Sequence, residues 1–97
     1  MYTLNSITIH PVYSANGNLT ITKTVINTIA ALGRSRPLMS AEDVAYVINR
    51  RVYADEQVTA KQVEQVMNEI ARAGRRGERY HGMRNLIALG SNFYEYK

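Results

Sequence analysis

Residues 39–51, MSAEDVAYVINRR, contain the first of two helix-start signals that decide the fold. Ser40 is a favourable N-cap residue. Asp43, three positions later, approximates a capping box, in which each of two side chains bonds the backbone N–H of the other residue. The apolar face that follows has helical spacing and consists of Val44, Val47 and Ile48. The stretch predicts a helix over residues 41–51.

The second signal lies in residues 58–74, VTAKQVEQVMNEIARAG. Thr59 and Gln62 form a Thr-x-x-Gln capping box. The buried stripe expected after it consists of Val63, Val66, Met67 and Ile70. Gly74 is expected to end this helix, because glycine often follows the last helical residue. We therefore predict a helix over residues 60–73.

Upstream of these two stretches, residues 23–32 predict another helix, and Gly33 supplies its stop signal. The helical spacing is carried by Val25, Ile26, Ile29, Ala30 and Leu32. The connector RSRP follows at residues 34–37, where Pro37 bars continuation of the helix.

Residues 1–22 show a period of two, which predicts an N-terminal β-hairpin or extended arm. The alternating apolar side chains are Ile7, Ile9, Leu19 and Ile21. Asn16-Gly17 between them is the strongest short hairpin signal, because both residues tolerate positive φ. Pro11 lacks the N–H group that a central strand needs, so we expect an edge strand or a broken strand before the turn.

The C-terminal residues 85–97, NLIALGSNFYEYK, predict a second hairpin. Gly90-Ser91 suits the first positions of a type II′ turn, and FYEY is rich in aromatic residues that favour strands. The competing interpretation is a short helix over residues 83–89 that Gly90 stops, because short apolar runs are ambiguous by period.

Composition limits the classes of function. Ninety-seven residues, 45% of them hydrophobic and 21% charged, are typical of one folded domain. With no cysteine, and with no carboxylates at converging spacing around His10 and His81, we expect neither a metal nor another cofactor. The net charge of +4 leans mildly towards a polyanionic partner. Because neither a membrane span nor a signal peptide is evident, we expect no membrane binding and a cytoplasmic location, nucleoid-associated if the source is bacterial or viral.

The order of helix, capped helix, capped helix, glycine, basic stretch and hairpin resembles a winged helix-turn-helix domain. This DNA-binding module is built from three helices and a β-hairpin wing. The likeness is carried by the two quoted stretches, with Val44-Ala45 as the apolar-Ala pair of the second helix and Val58-Thr59 at the start of the third. It spans residues 23–97 and implies an α+β fold to which residues 1–22 are an addition. The connection over residues 52–58 is longer than the tight turn of the simplest helix-turn-helix.

The resemblance implies sequence-specific binding of double-stranded DNA by a transcriptional regulator, with the third helix in the major groove. On that helix, the direction opposite the apolar stripe holds Lys61, Gln65, Asn68 and Arg72, with Glu64 and Glu69 on the flanks. Amide side chains can pair with adenine, and Lys or Arg with guanine or phosphate.

Further DNA contacts are predicted at both ends of this helix. Thr59 and Gln62 lie at its start. At its exit begins the basic stretch ARAGRRGERYHGMR, residues 71–84. The resemblance places Lys61, Gln65 and Asn68 on the bases. The arginines that it places on phosphates and the wing are Arg72, Arg75, Arg76, Arg79 and Arg84.

Alternatives stay open. The outer face of the third helix also suits a solvated helix. The acids that would repel a duplex are Glu42, Asp43, Asp55 and Glu56. They favour a winged-helix protein-interaction module, an adaptor or inhibitor of a protein in transcription or nucleic-acid processing, that uses the arm or the face of Tyr46. A homodimer on two half-sites would use the arm. An enzyme is not indicated, because no nucleophile–base set and no phosphate-binding glycine loop is present.

Overall fold

The computed structural model describes residues 7–83 and 85–97, in which three helices and a three-stranded antiparallel sheet are formed. In chain order the elements are α1 (Ile21–Gly33), β1 (Leu38–Ser40), α2 (Ala41–Asn49), a 3-10 turn (Ala54–Glu56), α3 (Ala60–Arg75), β2 (Leu86–Gly90) and β3 (Phe93–Tyr96). The predicted α+β class is confirmed. Within the described ranges, no helix combines the length and the apolar character that crossing a membrane requires.

Both predicted capping boxes are present. At the start of α2, Asp43 N donates to Ser40 Oγ and Ser40 N donates to Asp43 Oδ2, each at 3.1 Å. At the start of α3, Gln62 N donates to Thr59 Oγ1 at 3.1 Å, and Thr59 N donates to Gln62 Oε1 at 2.9 Å. These pairs satisfy N–H groups that have no partner inside the helix, so both helices begin where the sequence predicts.

The end of α3 corrects the prediction that Gly74 stops the helix. The helix continues to Arg75, and Gly77 takes the left-handed conformation, with a φ of 76°. Glu78 N donates to Ala73 O at 2.9 Å, and Gly77 N donates to Gly74 O at 3.0 Å. This pair of bonds is the Schellman motif, which requires positive φ at the residue after the cap. The stop is therefore set by Gly77.

The N-terminal arm is a hairpin only in part. A single bridge joins Tyr13 to Leu19, around a turn in which Gly17 has a φ of 83°. Strand alternation through Ile21 is wrong, because Ile21 is the first residue of α1 and packs against the core from that helix. The part of this prediction that falls on residues 1–6 lies outside the described residues.

The arm lies against the body of the protein. Ile7 and Ile9 are buried members of the core. Val12 N donates to Thr24 Oγ1 on α1 at 3.0 Å, and Arg51 Nη2 donates to Ile7 O at 3.4 Å. These contacts bury the arm's apolar side chains within the same chain.

The strand β1 has no signal of its own in the sequence. It follows the connector that ends at Pro37, and it pairs with β3, with Met39 opposite Tyr94. Tyr96 N also donates to Pro37 O at 2.7 Å. Since its partner lies more than fifty residues away in the chain, β1 is formed by tertiary pairing, and β3 becomes the central strand in the order β1-β3-β2.

The C-terminal hairpin is confirmed, and the competing helix over residues 83–89 is wrong. The turn differs from the predicted type II′ turn at Gly90-Ser91. Ser91 and Asn92 both have positive φ, at 52° and 67°, as the two central residues of a type I′ turn require. The register shifts between Ala88 and Gly90 just before this turn.

The core lies between the three helices and the inner face of the sheet. Its largest fully buried side chains include Ile29, Leu32, Met39, Ile48, Met67, Ile70 and Leu86. Gly33, at the end of α1, lets the ring of Tyr96 lie directly against the helix. A Cβ atom at that position would be 2.4 Å from the ring, so glycine is required by packing.

The side chain of Asn49 joins the end of α2 to the start of α3. Asn49 Nδ2 donates to Val58 O at 2.9 Å, and Val58 N donates to Asn49 Oδ1 at 2.8 Å. Gln57 Nε2 donates to Asn49 O at 3.1 Å. The helix ends at Asn49, two residues before the predicted boundary, and its last side chain closes the loop that leads to α3.

Replacing Asn49 by Ala is expected to lower the free energy of unfolding by about 2 kcal/mol, because both backbone groups of the buried Val58 lose their partner. Chemical denaturation measures the change. Asn27→Ala on the exposed side of α1 is the control and should stay within about 0.5 kcal/mol of the wild type. Equal stability of the two variants would contradict a structural role for Asn49.

Candidate nucleic-acid interface

The solvent-facing side of α3 presents a row of polar side chains. Lys61, Gln65 and Arg72 are exposed and follow one another at intervals of four and seven residues, which places them on one side of the helix. From Lys61 to Arg72 the row extends about 16 Å along the helix axis. The side chains of Lys61 and Gln65 make no hydrogen bond or ion pair with any other described residue.

Two predicted contact residues at the start of α3 are already used by the fold. Thr59 and Gln62 are exposed, but each bonds the backbone N–H of the other in the capping box. Thr59 Oγ1 lies 3.3 Å from Gln62 Oε1, to which it donates. Their first role is therefore to begin the helix and to set the position of Lys61 and Gln65.

Asn68, predicted to face DNA, instead contacts the C-terminal hairpin. The Tyr94 hydroxyl donates a hydrogen bond to Asn68 Oδ1, and the Asn68 side chain is half-buried. A cavity of about 180 Å³ lies beside this bond, between α3 and the hairpin, with Glu64 in its wall. Burial raises the pKa of the Tyr94 phenol, and the negative charge of Glu64 raises it further. Asn68 thus fixes the hairpin against α3.

Two of the predicted phosphate-binding arginines are in ion pairs. Arg72 Nη1 lies 2.7 Å from Glu69 Oε1, and Arg76 Nε lies 2.9 Å from Glu78 Oε1. Glu69, which is exposed, thus places a carboxylate beside Arg72 of the polar row. Both pairs are exposed to solvent, where an ion pair contributes little, so an incoming phosphate could compete for either guanidinium.

Arg75 and Arg79 have no such partners. Both are exposed, and neither bonds a carboxylate within residues 7–83 and 85–97. Arg79 stands immediately before a tight reversal in which Tyr80 and Met83 exchange backbone hydrogen bonds of 3.0 Å. Arg79 thus lies between the end of α3 at Arg75 and this reversal. The prediction for Arg84 lies outside the described residues.

Two of the four acids that weigh against DNA binding have structural uses. Asp43 caps α2, and its Oδ2 lies 3.8 Å from Arg36 Nη2. Glu56 Oε1 accepts hydrogen bonds from the Tyr13 hydroxyl at 2.8 Å and from Tyr53 N at 3.2 Å. These bonds explain the two acids as parts of the fold. Glu42 and Asp55 remain exposed.

The hairpin differs from a phosphate-gripping wing in its charge. Residues 85–96 contain no Lys or Arg, and Glu95 is their sole charged residue. In the described part of the chain, no three His, Asp or Glu side chains come together as a metal site. Between Arg84 and Lys97, the hairpin itself therefore contributes no positive charge.

Sequence reasoning missed the two polar contacts that position α3, those of Asn49 and Tyr94. Asn49 had a detectable signal, since an amide at the end of a helix before a loop can bond backbone groups in that loop. Tyr94 had none, because its partner depends on how the hairpin packs. Both residues act on the position of the exposed row.

Replacing Tyr94 by Phe is expected to lower the free energy of unfolding by about 1 kcal/mol at neutral pH, because Asn68 Oδ1 loses its donor. The raised pKa of Tyr94 also means that the unfolded chain releases the phenol proton first. Wild-type stability should therefore fall as pH rises above about 10, and Tyr94→Phe should lose less. Urea unfolding at neutral pH and at a pH above about 10 measures both changes in stability. Tyr53→Phe, on an exposed ring, is the control, and an equal alkaline loss in wild type and Tyr94→Phe would contradict the assignment.

Comparison of this chain with protein-family models, with curated proteins and with solved structures gave no match. The function is therefore inferred from the sequence and from the geometry of α3 and the hairpin.

Proposed function

We propose that this protein binds double-stranded DNA through the exposed row of α3 and acts as a transcriptional regulator. The observation that carries the proposal is the row itself, in which Lys61, Gln65 and Arg72 share one side of the helix. Arg75, the last residue of α3, and Arg79, which lies beyond the helix, add cations without carboxylate partners among the described residues. A helix with its side chains is about 10–12 Å across and fits a major groove about 12 Å wide.

The arrangement of the elements supports this proposal. The chain order α1, β1, α2, α3, β2, β3 and the sheet order β1-β3-β2 are compatible with the winged helix-turn-helix layout that the sequence resembles. In that layout the third helix is the one that enters the groove. Its counterpart here has the capped start and the outward polar row that such a role needs.

The side chains divide into two proposed roles. Gln65 would read adenine through its amide, and Lys61 would contact guanine or a nearby phosphate, because both side chains are exposed and uncommitted. Arg72, Arg75 and Arg79 would bind phosphates, which match the fixed fork of guanidinium donors. Adenine pairing requires an amide's oxygen and nitrogen together. Since Tyr94 occupies the oxygen of Asn68, we assign no base reading to Asn68.

Changing Arg75 and Arg79 together to Gln is expected to weaken duplex binding and to lower the slope of log affinity against log salt by about two, because each arginine neutralises one phosphate. Fluorescence anisotropy with a labelled duplex pool, from about 50 mM to about 200 mM salt, measures both quantities. The expected direction follows from counterion release.

The matched control is Lys23→Gln with Arg34→Gln. It removes the same charge from two exposed cations at α1 and its C-cap, and its salt slope should equal that of the wild type. Equal losses in the two double variants would assign the effect to net charge and contradict a specific role for the exit of α3. Absence of wild-type binding at about 50 mM salt would contradict DNA binding altogether.

Gln65→Ala is expected to change base preference at one position of a site selected from random duplexes, by about 1–3 kcal/mol. Asn27→Ala, on the exposed side of α1, is the control and should leave the preferred bases unchanged. Repeating the selection with each variant provides the measurement. An unchanged consensus with Gln65→Ala would exclude Gln65 as a reader.

A second candidate function is a protein-interaction module without DNA binding. It is favoured by the hairpin, whose residues 85–96 lack any cation. One observation distinguishes the two functions. A stoichiometric protein partner that survives nuclease treatment, together with absent duplex binding, would select the second.

A further inference from the structure

A cavity of about 500 Å³ lies where the N-terminal arm meets the end of α2. Pockets that bind small ligands usually have volumes of about 300–1,000 Å³, so this one is large enough for a small organic molecule. We call it the arm cavity, and it is lined by Pro11, Tyr13, Arg50, Arg51, Val52 and Tyr53.

The arm cavity is basic. Arg50 and Arg51 directly follow α2, and neither forms an ion pair in the part of the chain that the structure describes. None of the six lining residues is an acid, and the acids that come next along the chain, Asp55 and Glu56, line a separate cavity. Two guanidinium groups without a carboxylate favour an anion, and their fixed fork of donors matches a phosphate.

Both arginines make contacts that restrict their side chains. Arg51 Nη2 donates to Ile7 O on the arm at 3.4 Å, and the remaining N–H groups of this guanidinium are left for a ligand. Arg50 Cζ lies 5.8 Å from the centre of the Tyr46 ring, within the range of a cation–π contact. Side chains restricted in this way lose less conformational entropy when a ligand binds.

Two tyrosines complete the polar lining. Tyr13 is 41% exposed and Tyr53 is 75% exposed. The Tyr13 hydroxyl donates to Glu56 Oε1 at 2.8 Å, and the same oxygen accepts from Tyr53 N at 3.2 Å, so Glu56 holds Tyr13 beside the loop of Tyr53. The pKa of the Tyr13 phenol is raised mainly by this hydrogen bond, and the Tyr53 phenol adds to the rise, which places the two phenols within electrostatic range of each other. Exposed rings of this kind can stack on a flat aromatic ligand.

We propose that the arm cavity binds a nucleotide whose base is outside a duplex. The base stacks on the ring of Tyr53, the more exposed of the two tyrosines, and the phosphate is bound by Arg50 and Arg51. A nucleotide carries in one molecule the aromatic ring and the phosphate that this lining can bind. A base inside a duplex is excluded, because neighbouring base pairs cover both of its faces.

The same chemistry has two possible sources, a free mononucleotide or one nucleotide of a single strand. Both present an uncovered base and a phosphate to the cavity. The proposal does not depend on duplex binding by α3, because none of the α3 side chains assigned to DNA lines the arm cavity.

Titration of the full chain with adenosine monophosphate, followed by NMR of the tyrosine ring protons, tests the proposal. A Kd on the order of 100 µM is expected, with upfield shifts of the Tyr53 ring protons because a stacked base shields them. Adenosine lacks the phosphate and inorganic phosphate lacks the base, so each should bind at least about tenfold more weakly. Tighter binding of a single strand of about ten nucleotides would identify the source as a strand, and equal or weaker binding would identify it as the free nucleotide.

Variants separate the two contacts. Tyr53→Ala should raise the Kd for adenosine monophosphate at least about fivefold and leave duplex binding unchanged. Arg50→Gln combined with Arg51→Gln should raise it at least about tenfold. The matched controls, Phe93→Ala on the sheet and Lys23→Gln with Arg34→Gln at α1, should leave the Kd unchanged. Circular dichroism confirms that each variant is folded.

Three results would overturn the proposal. The first is the absence of saturation by both adenosine monophosphate and the single strand up to about 10 mM. The second is a Kd that Tyr53→Ala and the double arginine variant leave unchanged. The third is an equal loss in the double arginine variant and in its charge-matched control, which would assign binding to net charge.

Discussion

The position of α3 depends on one side chain, the amide of Asn49. Its Nδ2 donates to the C=O of Val58 and its Oδ1 accepts from the N–H of Val58. Both backbone groups of Val58 therefore have a side-chain partner instead of a backbone one. Val58 is buried and is followed at once by Thr59, whose capping box begins α3. These bonds fix the backbone between the end of α2 and the start of α3, and so they set the direction in which α3 begins. The start of α3, where Lys61 and Gln65 lie, is positioned by this connection.

A second contact determines which of these residues remain outward. Tyr94 is buried on the inner face of the sheet, and its hydroxyl bonds Asn68. The hairpin is thereby attached to the side of α3 next to the exposed row. Polar side chains on the helix thus fall into two groups: those that hold the fold together, and those, such as Gln65, that have no partner among the described residues.

Much of the fold could be predicted because its signals are local. A capping box needs only residues three apart, so Ser40 and Thr59 were identified as helix starts. The glycine that ends α3 is harder to predict. Gly74 and Gly77 both suit the sequence pattern, and only the positive φ of Gly77 distinguishes them. For the candidate site, the sequence predicts the side of α3 opposite its apolar stripe. Lys61, Gln65 and Arg72 lie in it, whereas Asn68 turned out to hold the hairpin.

The sequence alone determined where the helices begin, which stripe of each is apolar, and that the chain ends in a hairpin, because these depend on residues within one or two turns of each other. The tertiary structure decided the rest. β1 forms because β3 pairs with it from the far end of the chain, and Asn68 is engaged because Tyr94 packs against α3. Likewise, Leu38 on β1 lies beside Glu95 on β3 only because the two strands pair in this register. Such contacts join residues far apart in sequence, and no local pattern specifies them.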